Sequence, residues 1–228
     1  NREEATLFRA SAARANCLSQ DRPDINFSTK QLCREFGSLN QKSFLRLKRL
    51  VRYLVRFLRL VYEYKFPPKG QAPADTIELY VDTDFAGFRE TRRSTSGGVA
   101  LVGSCNIKHW SKTQTTIALS SGEAEYYGMV KGASQGIGIQ SLLADMGFNV
   151  SLQINTDASA AKGIATRKGL GKVRHLDVQD LWIQQRLRNG DFQLYKVKGE
   201  ENPGDLFTKA SLTQHRIEGL LNMLNCNY

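Results

Sequence analysis

The sequence predicts an α/β fold: a mixed five-stranded sheet flanked by helices, a three-strand antiparallel meander extended by helix-linked strands, preceded by a small helical unit. Three observations point there. "TIELYVD" alternates Ile77, Leu79 and Val81 against Glu78, Tyr80 and Asp82, the two-residue period of a strand with one face on a core. The patterns that follow run in the order βββ, α, β, α, α, β, α. The net charge of +10 also divides unevenly: residues 1–75 hold 15 Lys/Arg against 7 Asp/Glu, and residues 76–228 hold 17 against 15. The break falls near "FPPKGQAPAD", which has three of the five prolines. The expected division is a basic helical segment at 1–70, a linker at 71–76, an α/β domain at 77–210 and a C-terminal helix or tail at 211–228.

The first unit reads as helical at 3–18, 28–36 and 42–62. The third segment is the clearest. Leu47, Leu50, Val51, Leu54, Phe57, Leu58 and Val61 fall in one arc, while Lys42, Arg46, Arg49, Arg52, Arg56 and Arg59 step along the other side at intervals of 4, 3, 3, 4 and 3. Arginine forms paired hydrogen bonds to phosphate oxygens and releases condensed counterions, so Arg46, Arg49, Arg52 and Arg56 are candidate nucleic-acid contacts. A plainly solvated helix face is the alternative.

After the linker, "SGGVALVG" and "IKHWS" continue the meander, joined by a tight turn near 104–106. A long helix is expected at 121–146, a strand at 151–155, a short helix from Ser159, a helix over 177–188, a strand at 192–197 and a closing helix after Pro203. Gly128, Gly132 and Gly136 lie four apart in the long helix. Each costs ~1 kcal/mol against Ala, so close packing against the sheet or another helix is the expected compensation. Arg89, Arg92 and Arg93 fall in the loop before the second strand, where they can grip a nucleic-acid backbone or form an exposed turn.

Composition narrows the class further. With 41% hydrophobic and 24% charged residues, the 228-residue chain is neither disordered, collagenous nor a coiled coil. The most apolar stretch, around 50–62, is interrupted by Arg52, Arg56 and Arg59, far from the ~18 apolar residues of a membrane span. Cysteines at 17, 33, 105 and 226 make neither a zinc knuckle nor a disulfide scaffold. Buried, reduced thiols are expected, in a piece of a longer intracellular polypeptide that is not secreted and has no membrane partner.

Four carboxylates sit where such a sheet would gather them. Asp82 ends the first strand. Ser120 and Glu123 make a capping box at the start of the long helix, which frees Glu125 to point elsewhere. Asp157 follows the fourth strand, and Asp205 opens the last helix. Each alone reads as a cap or dipole partner. Converging, they would repel and raise one another's pKa values unless a divalent cation lay between them. A pair of Mg²⁺ ions, ~3.5–4 Å apart, suits displacement at phosphorus and makes a phosphodiester the natural substrate.

The runs "YVDTDFAGFRETRRSTSGGVALVG", "KHWSKTQTTIALSSGEAEY", "INTDASAAKGIA", "VRHLDVQDLWI" and "NPGDLFTKA", in that order, closely resemble the ribonuclease H domain of copia-type LTR retrotransposon Pol polyproteins. Upstream, "CLSQDRPDINFSTKQLCREF" and "LKRLVRYL" resemble the segment that joins the polymerase core to that domain. The resemblance implies a ribonuclease H-like fold and endonucleolytic cleavage of the RNA strand of an RNA/DNA hybrid, leaving a 3′-hydroxyl and a 5′-phosphate. It implies two Mg²⁺ ions, replaceable by Mn²⁺, with Asp82 bridging both. Glu125 and Asp157 would hold the second ion, and Asp205 would share the one that activates water. His175 matches a loop where related enzymes use a histidine in product release; a core or capping histidine fits as well. The implied partners are the hybrid and the remainder of the polyprotein, including its polymerase core.

The chain departs from the family pattern at Phe85, where Trp is usual, at Gly122, where Thr or a small polar residue is common, and at Ala158, where Asn is typical. The last removes a side-chain amide from the site and points to a weaker grip on the hybrid. "YVDTD" is not the YxDD polymerase signature, because Thr83 separates Asp82 from Asp84. Asp84 shares a strand face with Asp82, and the family pattern makes it the structural member of the pair. The alternative reading is a catalytically inactive, nucleic-acid-binding remnant of such a polyprotein. An integrase or another nuclease of the same superfamily is a third option, disfavoured by the "GEAEY" helix.

Overall fold

In the computed structural model, which describes residues 2–65, 67–69, 74–169, 171 and 181–228, the basic first unit is three helices. These are α1 (Arg2–Leu18), α2 (Pro23–Arg34) and α3 (Gln41–Arg56), closed on a small core of Phe8, Ala12, Ile25, Leu32 and Leu50. α2 starts at Pro23 rather than 28, because proline suits the first helical position, where its missing N–H costs nothing, and Asp24 complements the helix dipole. α3 is started by a reciprocal cap: Asn40 Oδ1 accepts from the Ser43 N–H at 3.2 Å, and Ser43 Oγ accepts from the Asn40 N–H at 3.1 Å. It stops at Arg56, short of the expected 62. Arg22 donates to the Phe57 carbonyl at 3.1 Å, and the chain leaves the helix to form β1 (Val61–Tyr62). Here strand pairing outweighs the helical period.

β2 (Thr76–Phe88), β3 (Arg93–Val102) and β4 (Cys105–Thr113) form the expected antiparallel meander. Gly103 and Ser104, at φ 55° and 67°, turn the β3–β4 hairpin with the two consecutive left-handed residues that match strand twist. Then follow α4 (Ser121–Asp145), β5 (Ser151–Thr156), α5 (Ser159–Thr166), α6 (Trp182–Asn189) and β6 (Gln193–Lys196). The sheet order is β4-β3-β2-β5-β6, with β5 parallel to β2 and β6 parallel to β5. This is the expected mixed five-stranded sheet, a three-strand antiparallel meander extended by helix-linked parallel strands. The closing helix expected after Pro203 divides into a 3₁₀ turn (Pro203–Phe207) and α7 (Gln214–Met223). A two-residue strand, β7 (Cys226–Asn227), then pairs antiparallel with β1.

One sheet face buries Ile77, Leu79, Val81 and Ile154 against Tyr126, Met129 and Ala133 of α4. The α4 glycines permit this contact as expected: a Cβ at Gly132 would strike Val81, and one at Gly136 would lie 2.8 Å from Leu152. The other face buries Val99 and Leu101 against Phe207, Leu220, Leu221 and Leu224. Each such aliphatic or aromatic side chain contributes ~1.5–3 kcal/mol on burial. The helical unit lies on this second face. Half-buried His109 of β4 stacks on Phe207 at 5.4 Å, with its Nε2 2.9 Å from the Ser19 carbonyl. At the far end, the Tyr228 ring lies against Phe57 at 4.2 Å and meets Tyr53 edge-on.

All four cysteines are free, but only Cys226 is fully buried; Cys17 is exposed, contrary to the expectation of buried thiols. Cys17 lies on a face of α1 where its neighbours Asn16 and Leu18 are exposed as well. Among the described residues, no helix is long and apolar enough to cross a membrane.

Candidate active site

Asp82 does not end its strand as expected: β2 runs six residues further, to Phe88, because it stays paired with β3, and Asp82 sits two residues past the end of the β2–β5 ladder, 2% exposed and opposite Gly97 of β3. Both glycines beside it serve close approach. A Cβ at Gly97 would come 2.6 Å from Phe207 Cβ and 2.7 Å from Thr208 Cγ2, and one at Gly204 would lie 3.0 Å from Asp82 Cβ. The segment that carries Asp205 can therefore lie directly on the strand that carries Asp82. Buried Asn202 fixes it there, donating to the Val81 carbonyl at 2.9 Å and accepting from the Gly204 N–H at 3.0 Å. Ser111 donates to the Phe207 carbonyl at 2.6 Å, and the Thr208 hydroxyl donates to Asp82 Oδ2.

Glu125 is placed by the start of α4 as expected. Ser120 Oγ accepts from the Glu123 N–H at 3.2 Å, and Glu123 reaches back to the Leu119 N–H at 3.0 Å while accepting from Tyr127 at 3.0 Å. Glu123 is thus the structural member of "GEAEY". Glu125 turns toward the sheet end, where the charges of Asp82 and Asp157 reach it. Asp157, just beyond β5, has its Oδ2 3.2 Å from the place a Cβ on Gly199 would occupy, so the 199–205 segment borders it too.

The electrostatics record this gathering. Burial, reinforced by Asp205 and Asp157 and opposed by Lys209 and Thr208, pushes Asp82 up to about 6. Burial, with Asp82 and Asp157 added, pushes Glu125 up to about 9. Among the described residues, the cation acting on both is Lys209, whose Nζ stands 3.9 Å from Asp82 and 3.5 Å from Asp205; Arg216 donates to Asp205 at 3.1 Å. Among the described residues, no three carboxylates stand close enough to share one ion in this arrangement. The Lys209 ammonium instead serves two of them as an internal counter-ion. A stand-in cation, and a donor set made wholly of carboxylate oxygen, fit a hard divalent ion such as Mg²⁺.

The other sequence candidates fall in two places. Arg89, Arg92 and Arg93 are exposed around the β2–β3 turn, at the same end of the sheet as Asp82. Arg46, Arg49, Arg52 and Arg56 are exposed on α3, with Arg46 paired to Glu35, and none is among the charges acting on Asp82 or Glu125. His175 lies outside the described residues. Sequence reasoning missed Lys209, Arg216, Asn202 and Thr208. It also missed Lys30 and Arg34 of α2, which reach the sheet: Lys30 donates to Thr95 at 2.8 Å and Arg34 to Thr113 at 2.7 Å. The one available signal was the Asp205-to-Lys209 spacing of four in "GDLFTKA".

No family model matches the sequence. The chain is 26% identical over 162 residues to the retrovirus-related Pol polyprotein from transposon TNT 1-94 of Nicotiana tabacum, covering 70% of this chain. It is 25% identical over 209 residues, 90% of this chain, to the corresponding polyprotein from transposon RE1 of Arabidopsis thaliana. These two relatives are retrovirus-related Pol polyproteins of plant transposons. The chain spans 12% and 14% of those two proteins. Among solved structures, ribonuclease H1 of the halophilic archaeon Halobacterium salinarum aligns with 58% of this chain and 94% of its own, at 17% identity and a TM-score of 0.38. The expected kinship with retrotransposon Pol polyproteins is therefore borne out. In this Pol-related chain the motifs that carried the resemblance include the segments that bring Asp82, Glu125, Asp157 and Asp205 to one end of the sheet.

Proposed function

We propose that the chain is the ribonuclease H part of a copia-type Pol polyprotein, cleaving the RNA strand of RNA/DNA hybrids endonucleolytically with Mg²⁺. The observation that carries the reading is that carboxylates from four separate segments come within electrostatic reach of one another, Asp205 and Asp157 acting on buried Asp82, and Asp82 and Asp157 on Glu125. Asp82, Glu125, Asp157 and Asp205 would hold the metal, which supplies a nucleophilic water and charge stabilisation at the phosphorus. The chain's own groups prepare this centre. Thr208 orients the Asp82 carboxylate, Asn202 sets the spacing between the Asp82 and Asp205 segments, and Lys209 must yield its place beside both when ions enter. Arg89, Arg92 and Arg93, exposed on the turn that follows the strand of Asp82, would hold a hybrid backbone. Selectivity would come from 2′-hydroxyl contacts and A-like groove shape rather than from base edges.

A second reading, a binding remnant without catalysis, is favoured by the Lys209 contacts and the spacing of the carboxylates. One experiment separates the two. Purified chain is assayed on end-labelled hybrid with Mg²⁺ beside an Asp82→Asn control, while binding is measured against salt. Cleavage confined to the unaltered chain supports the nuclease. Salt-sensitive binding with no cleavage above the control supports the remnant.

A further inference from the structure

The apolar side of α3 is not used up by the protein's own core. Phe44, Leu47, Val51, Leu54 and Val55 share one arc of about 100° on the helix. Leu50, beside that arc, is buried in the three-helix core, but Leu47 and Leu54 are only half-buried, Val51 is exposed and Val55 is 67% exposed. From Phe44 to Val55 the stripe runs roughly 17 Å, three turns of helix. Between α1 and α3 lies a groove with Ala15 and Leu18 on one wall, Leu47, Val51 and Leu54 on the other, and Leu50 as its floor. The borders of this groove carry one sign of charge. Arg14 stands on the α1 wall, and Lys48 and Arg52 follow the other edge of the α3 stripe. Neither 5–18 nor 41–56 contains an Asp or Glu, whereas 41–56 holds six Lys/Arg. Among the described residues, no carboxylate pairs with Arg14, Lys48 or Arg52, although Arg46 of the same helix is paired with Glu35.

A nucleic acid would answer the cations but leave the aliphatic groove in water, because no aromatic ring lines it for bases to stack on. A second copy of this face would set Arg14, Lys48 and Arg52 against their own kind, and like charges so placed repel. A helix with apolar residues at i, i+3, i+4 and i+7 and carboxylates along its edges satisfies both features at once. We propose that the α1–α3 groove is the docking site of such an amphipathic, acidic-edged helix, about three turns long, supplied by a partner protein. Its apolar side chains enter between Leu18 and Val51, and its carboxylates reach Arg14 on one side and Lys48 and Arg52 on the other. Docking here does not depend on whether Asp82 and its neighbours bind a metal, so this reading and the nuclease reading stand or fall separately.

The test is fluorescence anisotropy of a labelled synthetic peptide of roughly 18 residues, with Leu at i, i+3, i+4 and i+7 and Glu beside them, titrated with the full chain. Two control peptides accompany it, one with Lys in place of every Glu and one of the same composition permuted so that the leucines share no face. The Glu peptide should bind at least about tenfold more tightly than either control, and its affinity should fall as salt rises. Val51→Glu and Val55→Glu, both at exposed positions, should each weaken it by about tenfold without a change in thermal melting. Arg52→Glu should weaken the Glu peptide and strengthen the Lys peptide. The proposal is overturned if the Glu peptide does not bind, if the permuted peptide binds as tightly, or if both valine variants bind it as the unaltered chain does. Should Val51→Glu melt early, Val55→Glu decides alone. Co-sedimentation with phosphatidylserine vesicles forms a further arm: vesicle binding that Val55→Glu abolishes, in the absence of peptide binding, assigns the face to a membrane surface and overturns the proposal. A dimer that Val55→Glu dissolves assigns it to a second copy and does the same.

Discussion

Replacing Lys209 by methionine removes the ammonium that sits between Asp82 and Asp205 while keeping most of its apolar stem. At 3.5 Å from Asp205 and 3.9 Å from Asp82, each contact between unit charges is worth ~1 kcal/mol in water and ~4–5 kcal/mol at an effective dielectric of about 20. The Lys209 side chain is 44% exposed, so solvent screens it heavily, and the net loss should be nearer ~1–2 kcal/mol. For a chain of this length that corresponds to a fall of roughly 2–8 °C in Tm. The loss should appear in chelator and largely vanish in excess Mg²⁺, because an ion takes over the neutralisation and stabilises the folded state by mass action. Paired thermal melts of Lys209→Met and the unaltered chain, in EDTA and in Mg²⁺, measure both quantities. Equal melting temperatures in EDTA, or a Mg²⁺ response no larger in Lys209→Met, would refute the view that Lys209 stands in for a bound cation.

The remaining predictions concern the same end of the sheet and its supports. Because Glu125 is pushed up to about 9 and Asp82 to about 6, the folded chain holds protons there that the unfolded chain has released, so metal-free stability from these groups is full below about pH 4.5 and is lost as pH rises toward 9. Lys30, lowered to about 7, and His109, also lowered, act in the opposite sense, so the check is the difference between the unaltered chain and Glu125→Gln in urea unfolding from pH 5 to pH 7. A difference that does not change across that range would contradict the assignment. Asn202→Ala leaves the buried Val81 carbonyl without its side-chain donor and should cost ~1–3 kcal/mol, read as a lower urea midpoint at unchanged slope. Gly97→Ala forces a Cβ into Phe207 and Thr208 and should cost ~1–3 kcal/mol, with hybrid cleavage falling because the Asp205 segment is lifted from Asp82. An unaffected cleavage rate in folded Gly97→Ala would show that this close approach does not position the site.

The meander and the helix-linked strands were legible because each has a local signature, whereas the four acidic positions, each alone a cap or dipole partner, were singled out only by their joint order and the resemblance. Alternation marks β2, and the Ser120–Glu123 cap tells Glu123 from Glu125 before any fold is known. What was not legible depends on contacts distant in sequence. The row of arginines on α3 drew attention by its regular spacing, yet α2, with two cations on the face it turns to the sheet, is the helix whose basic side chains bond to β3 and β4. Nothing local in α2 says which face meets β3 and β4, since Thr95 and Thr113 lie 65 and 79 residues away from Lys30 and Arg34. The end of α3 was misjudged for a similar reason: the apolar period runs on through Val61, but the pairing of Val61 and Tyr62 with Asn227 and Cys226 is set by the far end of the chain. The last helix was read as continuous because the 3₁₀ turn at 203–207, held by Asn202 and Thr208, has no periodicity of its own.

The β1–β7 ribbon makes the molecule a closed loop in which the first unit is stitched to the final residues rather than to the strand that follows it. With Tyr228 wedged against Phe57 and Arg34 seated on Thr113, the two parts grip each other at several separate points. A protease nick just after Lys65 should therefore release neither piece. The halves would co-migrate under native conditions and, produced as two separate polypeptides, find one another again.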